Sequence, residues 1–174
     1  MRRFCLKTWP REAKGTDKSE LYMKEALALA REALSLGEVP VGCVIVRDGE
    51  IIGKGRNLRE SGKNALLHAE IAAIDEACRN TGGWRLGDCS IYVTLEPCPM
   101  CAGAILNARI PKIYFGARDR RLGACGGVLN LFEENFRFKP AIVGGILGEE
   151  CASLLGGFFD LIREKKIDYA TLWE

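Results

Sequence analysis

Residues 90–117 read SIYVTLEPCPMCAGAILNARIPKIYFGA, and this stretch decides the fold. "SIYVTL" (residues 90–95) is a short apolar run rich in β-branched and aromatic residues, the composition of a buried strand. Pro97 and Pro99 follow at once. A helix tolerates proline only in its first turn, so a helix opens here and runs from Pro97 to about Asn107. "KIYFGA" (residues 112–117) is the next strand. A strand, a helix and a strand in this order need a crossover connection, which lays the helix on one face of a sheet.

Upstream, "ELYMKEALALAREALSLG" sets Leu21, Met23, Ala26, Leu27, Ala30, Ala33 and Leu34 near helical spacing and stops at Gly37. This predicts a first helix starting near Glu20. "VPVGCVIVRDGEIIGKGRN" then gives two apolar runs around Asp48-Gly49, a dipeptide that accepts the positive φ of a tight hairpin, so two antiparallel strands follow. Another helix begins after His68, with Ile71, Ile74 and Cys78 on one face and Asp75, Glu76 and Arg79 on the other. Downstream come the glycine-rich loop "RLGACGGVLN", a short strand around "AIVGGI" and a helix over roughly 149–165. The alternation predicts an α/β fold, a three-layer α/β/α sandwich around a central mixed five-stranded sheet. One folded domain spans 20–166. Residues 1–19 form a polar N-terminal tail, read as disordered with an RNA-contacting arm as the sharper alternative, and residues 167–174 a C-terminal tail.

The 174 residues suit one domain with a sizeable core, and 48% hydrophobic content agrees. A net charge of +2 permits a nucleic-acid partner without demonstrating one. The first twenty residues hold no continuous apolar segment of a secretory leader, so the eight cysteines are expected as reduced thiols in the cytoplasm. The apolar stretch over 26–36 is broken by Arg31, Glu32 and Ser35, so no membrane span is expected.

Cys98 and Cys101 project from one face of the helix opening at the prolines, where unsatisfied N–H groups favour thiolate over thiol. His68 is the one histidine of the chain, and Glu70 follows two residues later. That spacing brings both to one site only if the site lies beyond the end of the helix they open. One nitrogen and two sulfurs suit zinc, and three protein ligands leave the fourth tetrahedral position for water. Glu70 is then placed to take and return that water's proton, which is the chemistry of hydrolytic deamination. A structural zinc knuckle is the plainer reading of a lone C-x-x-C. Joined to H-A-E, the P-C-x-x-C run matches the zinc-deaminase signature.

The segments "EVPVGCVIVRDGEIIGKGRN", "HAEIAAI", "GGWRL", "YVTLEPCPMCAGAILNARI", "YFGARD" and "GVLN" resemble the tRNA-specific adenosine deaminases of the cytidine deaminase superfamily, over roughly residues 20–165. The resemblance implies a fold of the cytidine deaminase type, one zinc ion per subunit, a homodimer, and conversion of adenosine to inosine at the wobble position in a tRNA anticodon loop. It also implies that Asn57 contacts the target base and Val41 lines the same pocket. Leu95 and Glu96 are implied to flank the reacting water, with the Glu96 carbonyl receiving the amine. Arg118 and Asp119 are implied to lie near the flipped nucleotide's sugar, where Asp119 suits a 2′-hydroxyl. On the last helix Phe158, Phe159, Arg163, Lys165 and Lys166 offer aromatic and basic groups to RNA, Phe159 and Arg163 foremost, although such phenylalanines are more often core.

The chain departs from that pattern at Arg56, where the family commonly has histidine, at "NALL" before the H-A-E, and in "FEENFRFKPAIV", which lacks a common RNA-contacting triplet. These departures keep a second reading open, a deaminase of a free base or nucleoside with Tyr169 or Trp173 of the tail as a lid. An inactive, zinc-structural subunit is a third reading, and the presence of Glu70 argues against it. Cys43, Cys78, Cys89, Cys125 and Cys151 read as packing residues, Cys125 being the one whose loop could approach the pocket.

Overall fold

A computed structural model describes residues 17–164. Its elements are α1 (Asp17–Ser35), β1 (Gly42–Arg47), β2 (Glu50–Arg56), α2 (Ala69–Thr81), β3 (Cys89–Leu95), α3 (Pro99–Ala108), β4 (Lys112–Ala117), β5 (Ala141–Gly144) and α4 (Gly148–Arg163). The strand order is β2-β1-β3-β4-β5, antiparallel across β2, β1 and β3 and parallel across β3, β4 and β5. The mixed five-stranded sheet is the expected one. The crossover through α3 makes β3 and β4 parallel, and the Asp48-Gly49 turn, both residues at positive φ, makes β1 and β2 antiparallel.

Period-two alternation sorts the core into two layers. Cys43, Ile45, Ile91, Val93 and Phe115 pack under Ala69, Ala73 and Ala77 of α2 and Ala102 and Ile105 of α3. Val44, Val46 and Tyr92 face the other way, against Met23, Ala26 and Leu27 of α1 and Cys151 of α4. The sandwich is therefore α1 and α4, sheet, α2 and α3.

Three glycines let helix backbone approach strand backbone. A Cβ on Gly42 would overlap the carbonyl of Ala26 on α1, and Cβ atoms on Gly53 and Gly55 would overlap the carbonyls of Ala73 and Ala69 on α2. The depth of α2 on β2 is thus set by hydrogen atoms, and with it the place of the residues that open α2.

Helix ends differ from the sequence expectation by the residues that carry no periodic signal. α1 starts at Asp17, ahead of Glu20, because Asp17, Lys18 and Ser19 are polar and give no apolar spacing to read. α3 starts at Pro99, with Cys98 as its N-cap, and a 3₁₀ turn at Leu131–Glu133 interrupts the loop before β5. Residues 1–16 and 165–174, and with them Lys165, Lys166, Tyr169 and Trp173, lie outside the described residues.

Candidate active site

The parallel strands β3 and β4 end at one edge of the sheet, and α2 and α3 begin there. The N-caps of these helices are His68 and Cys98, both extended, and neither side chain caps its own helix. Pro99 fills the first helical position, where its missing N–H leaves no partner lost. Both N-cap side chains turn toward each other. His68 Nδ1 lies 3.8 Å from Cys98 Sγ and 3.6 Å from Cys101 Sγ. Zinc bonds of about 2.0–2.1 Å to nitrogen and about 2.3 Å to sulfur, at tetrahedral angles, set N and S about 3.6 Å apart. The donor set and its spacing fit zinc.

Within the cluster the electrostatics favour the thiolate at Cys98, while Cys101 keeps its proton and His68 gains affinity for one, so metal binding has to release protons from those two. Hydrogen bonding from Cys101, joined by His68, pulls the Cys98 thiol down to about 4 against the opposing effect of burial. The bond to Cys98 holds the His68 imidazole above its ordinary value, and hydrogen bonding to Cys98 together with burial pushes Cys101 up. Glu70, 4% exposed, is raised to about 7 by burial, with the Cys98 charge adding to the push and His68 opposing it. A carboxyl in that range exchanges a proton near neutral pH.

A cavity of ≈ 130 Å³ opens onto this corner, lined by Val39, Val41, Asn57, Arg59, His68, Glu70, Leu95, Glu96, Cys98, Asp119 and Leu122. Of the residues singled out in the sequence it gathers His68, Glu70, Cys98, Asn57, Val41, Leu95, Glu96 and Asp119, with Cys101 buried beside His68.

It does not gather the rest. Arg118 lines a separate groove with Glu149 and Glu150 at the start of α4. Neither Phe159 nor Arg163 lines the cavity; they lie roughly 16–22 Å along α4 from its start, at about 1.5 Å per residue. Phe158 is fully buried, in line with the core reading, and Arg163 pairs with Asp160. Asp119 Oδ1 accepts from the N–H groups of Arg121 (2.8 Å) and Leu122 (3.1 Å), so half of its carboxylate closes a turn. Cys125 is buried and lies outside the cavity lining.

Two residues have a part that the sequence reading missed. The Glu96 side chain, 2% exposed, accepts from the N–H groups of Asp119 (3.1 Å), Cys125 (2.9 Å) and Gly127 (2.7 Å), and so holds the loop after β4 against the P-C-x-x-C turn. Gly123 and Gly127 sit so close to this carboxylate that a Cβ would collide with it, which accounts for the glycine-rich run. Glu38 does the same for the loop after β2. The signal available in the sequence was an acidic residue between Gly37 and Val39-Pro40, where the chain enters a buried strand.

The model of the cytidine and deoxycytidylate deaminase zinc-binding region matches residues 16–117. The tRNA-specific adenosine deaminase of Bacillus subtilis (strain 168) is 50% identical over 148 residues, which is 84% of this chain and 92% of the relative. The chain belongs to this deaminase family, in its tRNA-specific adenosine deaminase branch. A solved chain from work on A-to-I editing by tRNA:A34 deaminases at the wobble position of transfer RNA is 40% identical to this deaminase and superposes at a TM-score of 0.73, covering 77% of this chain and 98% of that one. The guanine deaminase structure from Bacillus subtilis is 42% identical at a TM-score of 0.55, over 57% of this chain and 64% of that one.

Proposed function

We propose that this protein hydrolytically deaminates adenosine to inosine at the wobble position of a tRNA anticodon, as a homodimer with one zinc ion per subunit. The observation that carries the reading is Glu70, buried beside the His68, Cys98 and Cys101 donors at a cavity that also takes Asn57. His68 Nδ1, Cys98 and Cys101 would hold the zinc, which when bound would supply the Lewis acidity that eases deprotonation of a water near neutral pH.

Glu70 takes the proton of the attacking water and delivers it to ring N1 as the oxygen bonds C6. It then moves the remaining hydroxyl proton to the exocyclic amine, the C6–N6 bond breaks, and ammonia leaves. Asn57 reads the base edge and Val41 packs on the ring. The main chain at Leu95 and Glu96 faces the departing amine, and the free oxygen of Asp119 suits the 2′-hydroxyl. Because Glu70 is buried, the base has to leave its stack to reach it and the rest of the anticodon loop stays outside, where Phe159 and Arg163 remain candidate RNA contacts. Reduced thiols suit a cytoplasmic setting, and no described helix is long and apolar enough to cross a membrane.

The likeness to a guanine deaminase favours a second reading, a free-base enzyme. Both are tested by incubating zinc-loaded protein with an anticodon stem-loop carrying a wobble adenosine and, separately, with free adenine, guanine, cytosine, adenosine and cytidine. The expected result is inosine in the RNA and no ammonia from the small molecules. Ammonia from a free base with the RNA untouched would replace the tRNA reading with the free-base one.

A further inference from the structure

We infer that Glu38 is a positioning residue that fixes which end of the Asn57 amide faces the substrate. Glu38 follows α1, is 0% exposed, and meets four donors on its two carboxylate oxygens. Oε2 accepts from Asn57 Nδ2 (3.0 Å) and from the N–H of Glu60 (3.2 Å). Oε1 accepts from the N–H of Ser61 (2.7 Å) and from its hydroxyl (2.7 Å). An ionised carboxylate has only lone pairs, so the NH₂ end of Asn57 must point at Glu38 and the carbonyl end away from it. Asn57 is itself 6% exposed and lines the cavity. Its carbonyl oxygen and second amide hydrogen are then what remains for a base edge.

The same carboxylate anchors the turn that follows β2. Arg59 on that turn lines the cavity, and its guanidinium is held by the Glu60 side chain at 2.7 and 3.0 Å. One buried group therefore sets both the base-reading amide and the backbone around the mouth. The inference rests on the proposed role of Asn57 in base reading.

Glutamine is the informative substitution, because both Glu38 oxygens face donors. Whichever way its amide turns, an NH₂ meets another N–H, and the arrangement that fixes Asn57 is broken at nearly constant volume. In zinc-loaded Glu38→Gln, KM for the stem-loop is expected to rise about 10- to 100-fold, the loss typical of a hydrogen bond to a charged group, with kcat changed far less. Bound zinc is expected to stay at the wild-type level. In an Asn57→Ala background, Glu38→Gln is expected to raise KM by a clearly smaller factor than in the wild type, the part that remains being what the turn at Glu60 and Ser61 carries. Equal effects in both backgrounds, or a fall in kcat with KM unchanged, would overturn the inference.

A measurement on the wild-type protein covers the case in which the variant does not fold. The Asn57 side-chain amide, observed by ¹⁵N NMR, is expected to give two resolved protons, one of them protected from solvent exchange. Rapid exchange of both would sink the idea without any kinetic assay. Failure of wild-type protein to act on the stem-loop would count against the function proposed above and leave this NMR result standing.

Discussion

Glu70 is where activity and stability pull apart. The neutral form of this buried carboxyl is favoured by the fold, so the charged form opposes folding above the ordinary carboxylate range, and increasingly so up to about pH 7. Glu70→Gln removes that charge at equal size. It is expected to abolish turnover by more than about a thousandfold, given that general acid–base catalysis typically contributes 10²–10⁴-fold. The variant should retain its metal and, after chelation, melt at a higher temperature than wild type at pH 8. Residual turnover near the wild-type rate would remove Glu70 from the proton path. His68→Ala is expected to lose zinc, read as metal per protein chain in the purified variant, because two sulfurs then stand without the nitrogen donor. The metal ligands were legible because zinc uses few residue types and both His68 and Cys98 stand at helix starts that proline and periodicity mark. Glu38 was not legible, because its donors lie at 57, 60 and 61 and meet it only through the β1–β2 hairpin.

Elements carry the site by how deeply they seat. α2 rests on β2 through Gly53 and Gly55, and its first turn holds Glu70 next to the cavity that also takes Asn57 from the end of β2. Gly55→Ala forces the Ala69 carbonyl outward, at the first residue of α2. The expected loss is about 1–3 kcal/mol of stability, as for overpacked cores, together with most of the activity. Gly156→Ala on α4 is the contrasting case: its Cβ meets nothing within 4 Å, so a gain of about 0.5–1 kcal/mol from helix propensity is expected with activity kept. Denaturant titration of both variants checks the pair, and equal shifts in the same direction would contradict the close-approach account. Strands and helices were readable from their periods of two and 3.6, because each buries one face. The seating of α2 was not, since a glycine in a strand reads alike as bulge, turn or close approach until the partner helix is known.

At the scale of the whole molecule, the outer side of α2 and α3 is unusually apolar for a surface. Ile71, Ile74, Cys78, Ala104 and Ala108 line a shallow groove there together with Trp84, which is 51% exposed. Half-exposed tryptophan beside isoleucine is the composition of an interface core, and the charges there are Asp75, paired with Arg79, and Arg85, stacked over the Trp84 ring. A two-fold axis through such a groove would set α2 and α3 of one subunit against the same helices of its partner, burying the patch with itself. The groove adjoins the helices whose first turns hold His68, Glu70 and Cys98, so pairing there would also stiffen the site. Sedimentation equilibrium of the zinc-loaded protein is therefore expected to give a dimer at micromolar concentration, with a melting temperature that rises with protein concentration. Ala104→Arg places a long cation in the groove floor and is expected to yield monomer that still binds zinc. A wild-type protein that stays monomeric at all accessible concentrations would show that the groove serves something other than self-association. A dimer unaffected by Ala104→Arg would move the interface to another face.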